Sequence, residues 1–142
     1  MQLSAPALLI TDDDSRLRQT LREFLEGQGY ATYEAGDGEE ALHILERRSV
    51  HVMLLDLHMP KLGGLETLQL ARKLHVVLPC ILMSAELDPE VVEQARANAV
   101  FEILAKPFSV RQVASVVRAA LRTAYDWSDR TRPPAGEGAS WG

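Results

Sequence analysis

The chain has a single cysteine, Cys80, among its 142 residues, so no disulfide can form within it. Cys80 lies in an apolar run, where a small buried hydrophobe is a simpler reading than a nucleophile. Basic charge is also scarce. Fifteen Lys and Arg stand against twenty Asp and Glu, a formal net charge of −5, and a surface for phosphate backbones needs clustered Lys and Arg. Direct nucleic-acid binding is therefore not expected. No apolar run approaches the ~20 residues of a membrane span, and Met1 to Pro6 has neither a basic segment nor an apolar stretch before a cleavage site, so the cytoplasm is the expected compartment. The four histidines, His43, His51, His58 and His75, lack the paired spacing of a zinc site. What is present is 46% apolar residues in a length that suits one domain with its own core.

The stretch that organises the chain runs from His51 to Gly64. Its apolar residues Val52 to Leu55 are too few for a buried helix and are followed by Pro60 and Gly63-Gly64, so they read as a buried parallel strand ending on Asp56. An isolated carboxylate after a strand is ordinarily a turn or helix cap. Other strands repeat the pattern. Ala7 to Thr11 ends on Asp12-Asp13-Asp14, Pro79 to Met83 runs into Ser84, and Val100 to Leu104 runs to Lys106-Pro107. A further strand is read at Tyr30 to Glu34.

Between the strands, apolar residues recur at helical spacing. Leu17, Leu21, Phe24 and Leu25 form one stripe, closed by Gly27 and Gly29. Ala41, Leu42, Ile44 and Leu45 form the second behind an Asp37 cap, with Glu40 completing a capping box. The third contains Leu65, Leu68, Ala71 and Leu74. Val91, Val92, Ala95 and Ala99 make the fourth behind Asp88-Pro89, and Val110 to Ala124 carries the last behind Ser109. Five strands alternating with five helices imply an α/β, flavodoxin-like (βα)5 doubly wound parallel sheet of order 2-1-3-4-5. Residues 6–124 are expected to form this domain. Residues 125–142, rich in Pro, Gly and small side chains, read as a flexible tail or linker in which Trp127 and Trp141 have no assigned role.

In such a sheet the ends of strands one, three, four and five line one crevice, so Asp12, Asp13, Asp56, Ser84 and Lys106 converge. Three close carboxylates call for a raised pKa on one of them or a bound divalent cation. All-oxygen ligation favours Mg²⁺ (or Mn²⁺), which typically pairs one or two carboxylates with a phosphoryl oxygen. Lys106 can neutralise one phosphoryl oxygen, Ser84 can donate to another, and Asp56 remains as nucleophile.

This constellation resembles the receiver domain of two-component response regulators: Asp12-Asp13, Asp56 with Met59-Pro60, Ser84-Ala85 and Lys106-Pro107-Phe108 fall in that order and spacing. The resemblance implies that Asp56 accepts a phosphoryl group from a sensor histidine kinase or a histidine phosphotransfer protein. It implies Mg²⁺ held by Asp13, Asp56 and the His58 carbonyl, with Asp12 assisting, and a cis bond before Pro107. His58 and Glu86 occupy the positions that tune dephosphorylation. An output protein would be met through the fourth helix, fifth strand and fifth helix, with a phosphorylation-dependent homodimer as an option. The chain departs from the family in Gly63-Gly64 where Asp-Gly is usual, Asn98-Ala99 where Gly-Ala is usual, and Ile103 where an aromatic switch residue is usual. A Mg²⁺-dependent aspartyl-phosphate phosphatase or phosphotransferase is the competing reading. Enzymes of that kind usually carry an acid two residues after the nucleophile, and His58 stands there.

Overall fold

The computed structural model describes residues 5–74 and 77–127, so His75, Trp141 and most of the expected tail lie outside the described residues. Strands β1 (Ala7–Thr11), β2 (Ala31–Ala35), β3 (Val52–Asp56), β4 (Cys80–Ser84) and β5 (Glu102–Ala105) alternate with helices α1 (Ser15–Gly27), α2 (Gly38–Arg47), α3 (Gly64–Leu74), α4 (Pro89–Ala97) and α5 (Val110–Tyr125). The strands form one parallel sheet in the order β2-β1-β3-β4-β5, as the alternation requires. Strand limits differ from the sequence reading by a residue or two, the ordinary uncertainty of element ends.

Why the central strands are continuous apolar runs is visible in the two cores. Leu8, Ile10, Val52, Leu54, Ile81 and Met83 pack with α1 and α5, while Leu9, Met53, Leu55, Cys80 and Leu82 belong to the cluster with α2, α3 and Ala95 of α4. The two-residue pleat sends alternate side chains to opposite faces, and both faces are covered. Cys80 is fully buried, and burial pushes its thiol up to about 12, which leaves it an inert core residue.

The caps predicted at Asp37, Asp88 and Ser109 form, and Ser109 and Gln112 close a reciprocal capping box. At Asp37 the box shifts by one: Asp37 accepts from the Glu40 amide, but the Glu40 carboxylate takes the Gly36 amide at 2.6 Å. Gly29 ends α1 with φ 101°, a conformation glycine adopts without a Cβ penalty.

Three sequence expectations need correction. Leu74 is 46% exposed at the last turn of α3, beyond the buried Leu68 and Ala71. Ala99 does not lie along α4, which ends at Ala97; it is an exposed turn residue at φ 56°. Ala99→Gly is therefore expected to raise stability by about 1 kcal/mol, since a non-glycine residue in the left-handed region costs roughly that much, and a urea midpoint no higher than the parent's would contradict the assignment. Third, the packed domain does not stop at 124. Helix α5 continues to Tyr125, Asp126 turns the chain at φ 56°, and Trp127 is 2% exposed in the α1/α5 core with its ring 5.9 Å from that of Tyr30. Tyr125 Oη donates to the His51 carbonyl at 2.8 Å, fastening the end of α5 to the residue before β3.

Candidate functional site

Asp12, Asp13 and Asp56 each bring a carboxylate oxygen to within 4.8 Å of the others at the carboxyl ends of β1 and β3. Their environments differ sharply. Asp12 is fully buried: Oδ2 accepts from Lys106 Nζ at 2.8 Å and Oδ1 from the Asp14 amide at 2.9 Å. Asp13 is exposed. Asp56 is 4% exposed, and its Oδ1 lies 3.4 Å from both Lys106 Nζ and the His58 amide nitrogen.

Burial, and next the neighbouring Asp12 charge, push the Asp56 carboxyl above its ordinary value, against the opposing pull of Lys106. Burial works to lower the Lys106 pKa, but its hydrogen bond to Asp12 and the charges of Asp12 and Asp56 raise it overall, so the ammonium stays charged. The Lys106-Pro107 bond is cis, and the Lys106 amide donates to the Ser84 carbonyl at 2.8 Å. Ser84 is also buried. Its hydroxyl donates to the Glu86 carbonyl at 2.6 Å and accepts from the Glu86 amide at 3.1 Å, so it is engaged by its own loop rather than by Asp56.

The all-oxygen donor set fits Mg²⁺ or Mn²⁺. Lys106 already counters part of the acidic charge, but one ammonium cannot offset three carboxylates.

Residues 8–118 match the family described as the response regulator receiver domain. The chain belongs to that family. It is 37% identical over 126 residues to the transcriptional regulatory protein CpxR of Escherichia coli K12, covering 87% of this chain and 52% of that protein. The DNA-binding transcriptional regulator NtrC of the same strain is 32% identical over 112 residues, 79% of this chain and 24% of that protein. This receiver thus spans about half the length of the first of these relatives and a quarter of the second. Among solved structures it is similar to the Francisella response regulator 1452 receiver domain, with 31% identity, TM-score 0.75 and coverage of 83% and 98% of the two chains. The Vibrio cholerae chemotaxis protein CheY4 is similar at 26% identity and TM-score 0.79, with 82% and 99% covered. The family is one of signalling domains.

The fold of this receiver brings the side chains of Asp12, Asp13, Asp56 and Lys106 together, while the Ser84 hydroxyl faces Glu86 and Asp13 remains open to solvent. His58 and Glu86 are exposed on the loops after β3 and β4. Ile103 is half-buried against the α2/α3 core. Two residues were not legible as site components. Asp14, the third acid of the run, is the α1 N-cap, accepting from Arg16 and Leu17 amides. Gly64 is more consequential: a Cβ there would stand 2.5 Å from the Asp56 carbonyl oxygen and 2.7 Å from Leu57 Cα. Its missing side chain lets α3 begin directly against the Asp56-Leu57 peptide, where the Gly64 amide donates to the Leu57 carbonyl at 3.1 Å. The signal was the Gly63-Gly64 pair, which read only as a chain break.

Proposed function

We propose that Asp56 accepts a phosphoryl group from a phosphohistidine on a sensor histidine kinase or a histidine phosphotransfer protein, and that the modified receiver changes its binding partners. The observation carrying this reading is a buried carboxylate of raised pKa, 3.4 Å from a charged lysine and within 4.8 Å of two further acids. Both contacts of Asp56 described above use Oδ1, so Oδ2 is the oxygen available to attack. In the transfer, the Asp56 oxygen forms a bond to phosphorus while the P–N bond of the donor breaks, and the imidazole leaves with its electron pair. Asp13, Asp56 and the His58 carbonyl would hold Mg²⁺ (or Mn²⁺), with Asp12 assisting. When bound, the ion supplies positive charge to the transferring phosphoryl oxygens. Lys106 pairs with a further oxygen of the transferred group. The Ser84 hydroxyl leaves Glu86 to donate to another.

An open pocket of about 400 Å³ beside Lys106, lined by Leu17, Ala85, Pro107 and Phe108 among others, offers the donor protein an apolar footing next to the acceptor. Output is assigned to the face of α4, β5 and α5, with a phosphorylation-dependent homodimer as one form it can take. Ile103 of β5 stands in place of an aromatic ring, and a stiff β-branched side chain moves less volume when Ser84 is drawn inward. The cytoplasm is the compartment this reading requires, and no helix among the described residues is long and apolar enough to cross a membrane.

Incubation with acetyl phosphate and Mg²⁺, followed by intact-mass analysis and peptide mapping, tests the assignment. One phosphate on Asp56 is expected; no adduct, or one mapped to a different residue, overturns it. Turnover of small phosphate esters would instead favour the phosphatase reading. The exposed His58 and Glu86 flank the approach of water to Asp56, so His58→Ala and Glu86→Ala are each expected to change the dephosphorylation rate. Decay curves superimposable on the parent's would remove both from that role.

A further inference from the structure

Arg18, in the first half of α1, reaches the acid-bearing loop through the main chain. Its Nη1 donates to the Asp12 carbonyl at 2.6 Å, while Nε pairs with Glu34 Oε1 at 3.1 Å. The other Glu34 oxygen is held by Arg22 Nη1 at 2.8 Å. The Arg18 and Glu34 side chains are only 19% and 26% exposed, so this fork is sheltered and not a loose surface pair. Glu34 itself is fixed in β2 opposite Ile10, and the neighbouring Ala35 carbonyl takes the Asp12 amide at 3.1 Å.

The Asp12 carbonyl and the Asp13 amide belong to one planar peptide unit, so a guanidinium that fixes the oxygen also fixes where Asp13 leaves the strand. Asp12 does not depend on this. Its carboxylate is buried and tied to Lys106 and Asp14, whereas Asp13 is exposed and gains no such support from packing. Glu34 has a second effect. A bare guanidinium beside an acid cluster would oppose cation binding, and the Glu34 carboxylate, which is shared with Arg22, offsets part of that charge while leaving the fork geometry intact.

We propose that Arg18, clamped by Glu34, is a positioning residue that sets the Asp13 carboxylate for divalent-cation binding. This rests on the metal assignment given under the proposed function. Arg18→Lys is the discriminating variant, because it keeps the charge but replaces a planar fork with one ammonium that cannot span the Asp12 carbonyl and Glu34 as Arg does. Mn²⁺ affinity, read from the electron paramagnetic resonance of the free ion, is expected to weaken about tenfold, the usual scale for losing an outer-shell partner of a metal ligand. The Mg²⁺ concentration that half-saturates acetyl phosphate uptake is expected to rise by the same factor. A Mn²⁺ Kd within about twofold of the parent's, far inside the usual outer-shell effect, overturns the proposal.

A second measurement needs no variant and stands even if Arg18→Lys does not fold. In the parent, the Arg18 Nε–H resonance is expected to shift along a Mg²⁺ titration with the midpoint of the Asp13 amide. An unmoved Arg18 resonance beside a moving Asp13 amide overturns the proposal. A parent that takes no phosphate on Asp56, while Arg18→Lys still weakens Mn²⁺ binding, would sink the phosphoacceptor reading and leave the positioning role standing.

Discussion

Asp56→Asn takes up no phosphate from acetyl phosphate and Mg²⁺ under conditions that label the parent: this is the expected result with the largest effect on activity. The amide keeps the size of the carboxylate but offers no anionic oxygen to attack phosphorus, and neither Asp12 nor Asp13 can replace it. Asp12 Oδ1 and Oδ2 are both committed to hydrogen bonds, and Asp13 belongs to the proposed cation site. Stability is expected to move the other way. The Asp56 carboxyl is held above its ordinary value first by burial and then by Asp12, so its ionised form is disfavoured in the folded protein. For a carboxyl whose folded pKa is raised, that penalty is absent below the unfolded value and grows as pH rises through the folded one. Asp56→Asn should therefore melt several degrees above the parent at pH 7 without metal, with the gap closing in acid. Added Mg²⁺ should narrow it at neutral pH, because the cation stabilises only the parent's full acid set. A variant labelled as fully as its parent would remove Asp56 as the acceptor. A variant less stable at pH 7 would contradict the electrostatic account.

Trp127→Ala is expected to destabilise the protein by about 3–5 kcal/mol, the usual cost of truncating a large buried aromatic to alanine. Trp127 is 2% exposed, shares a cluster with Leu25, Tyr30 and Leu121, and is set in place by the left-handed turn at Asp126 and by its amide, which donates to the Leu121 carbonyl at 3.3 Å. Urea denaturation measures the loss, and a change below about 1 kcal/mol would return Trp127 to the tail. Truncation sharpens the comparison. A chain ended after residue 124 should lose at least as much stability as Trp127→Ala, since it also lacks the Tyr125 hydrogen bond to His51.

The fold was largely legible because its determinants are local and periodic. Runs such as Ala7 to Thr11 and Val52 to Leu55, apolar without alternation, specify strands buried on both faces, and the structure covers both. Asp37, Asp88 and Ser109 marked helix starts because an oxygen-bearing side chain at that position satisfies amides that have no partner within the helix. The site was legible for a topological reason: a parallel sheet of order 2-1-3-4-5 places the ends of β1, β3, β4 and β5 side by side, so acids and a lysine at those ends must meet.

Chain position alone could not divide the labour among the residues that meet there. Asp12, Asp13 and Asp14 are consecutive and chemically alike, yet one is buried on Lys106, one is open to solvent and one caps α1, because each successive Cα leaves the strand in a new direction. The engagement of Ser84 with Glu86, the closeness that requires Gly64, and the reach of Arg18 from α1 to the Asp12 carbonyl depend on distances across elements. Trp127 follows the same logic. Its surroundings in sequence are those of a tail, and only the gap beside Tyr30, created by packing α5 against α1 and the sheet, makes it core. The sequence by itself determined the strands, the helices, their order and the chemistry delivered to one edge, since these follow from periodicity and connection geometry. The tertiary structure alone decided which carboxylate is buried, which is exposed and that Trp127 belongs to the core, because burial and partner distance are set by side chains far away along the chain.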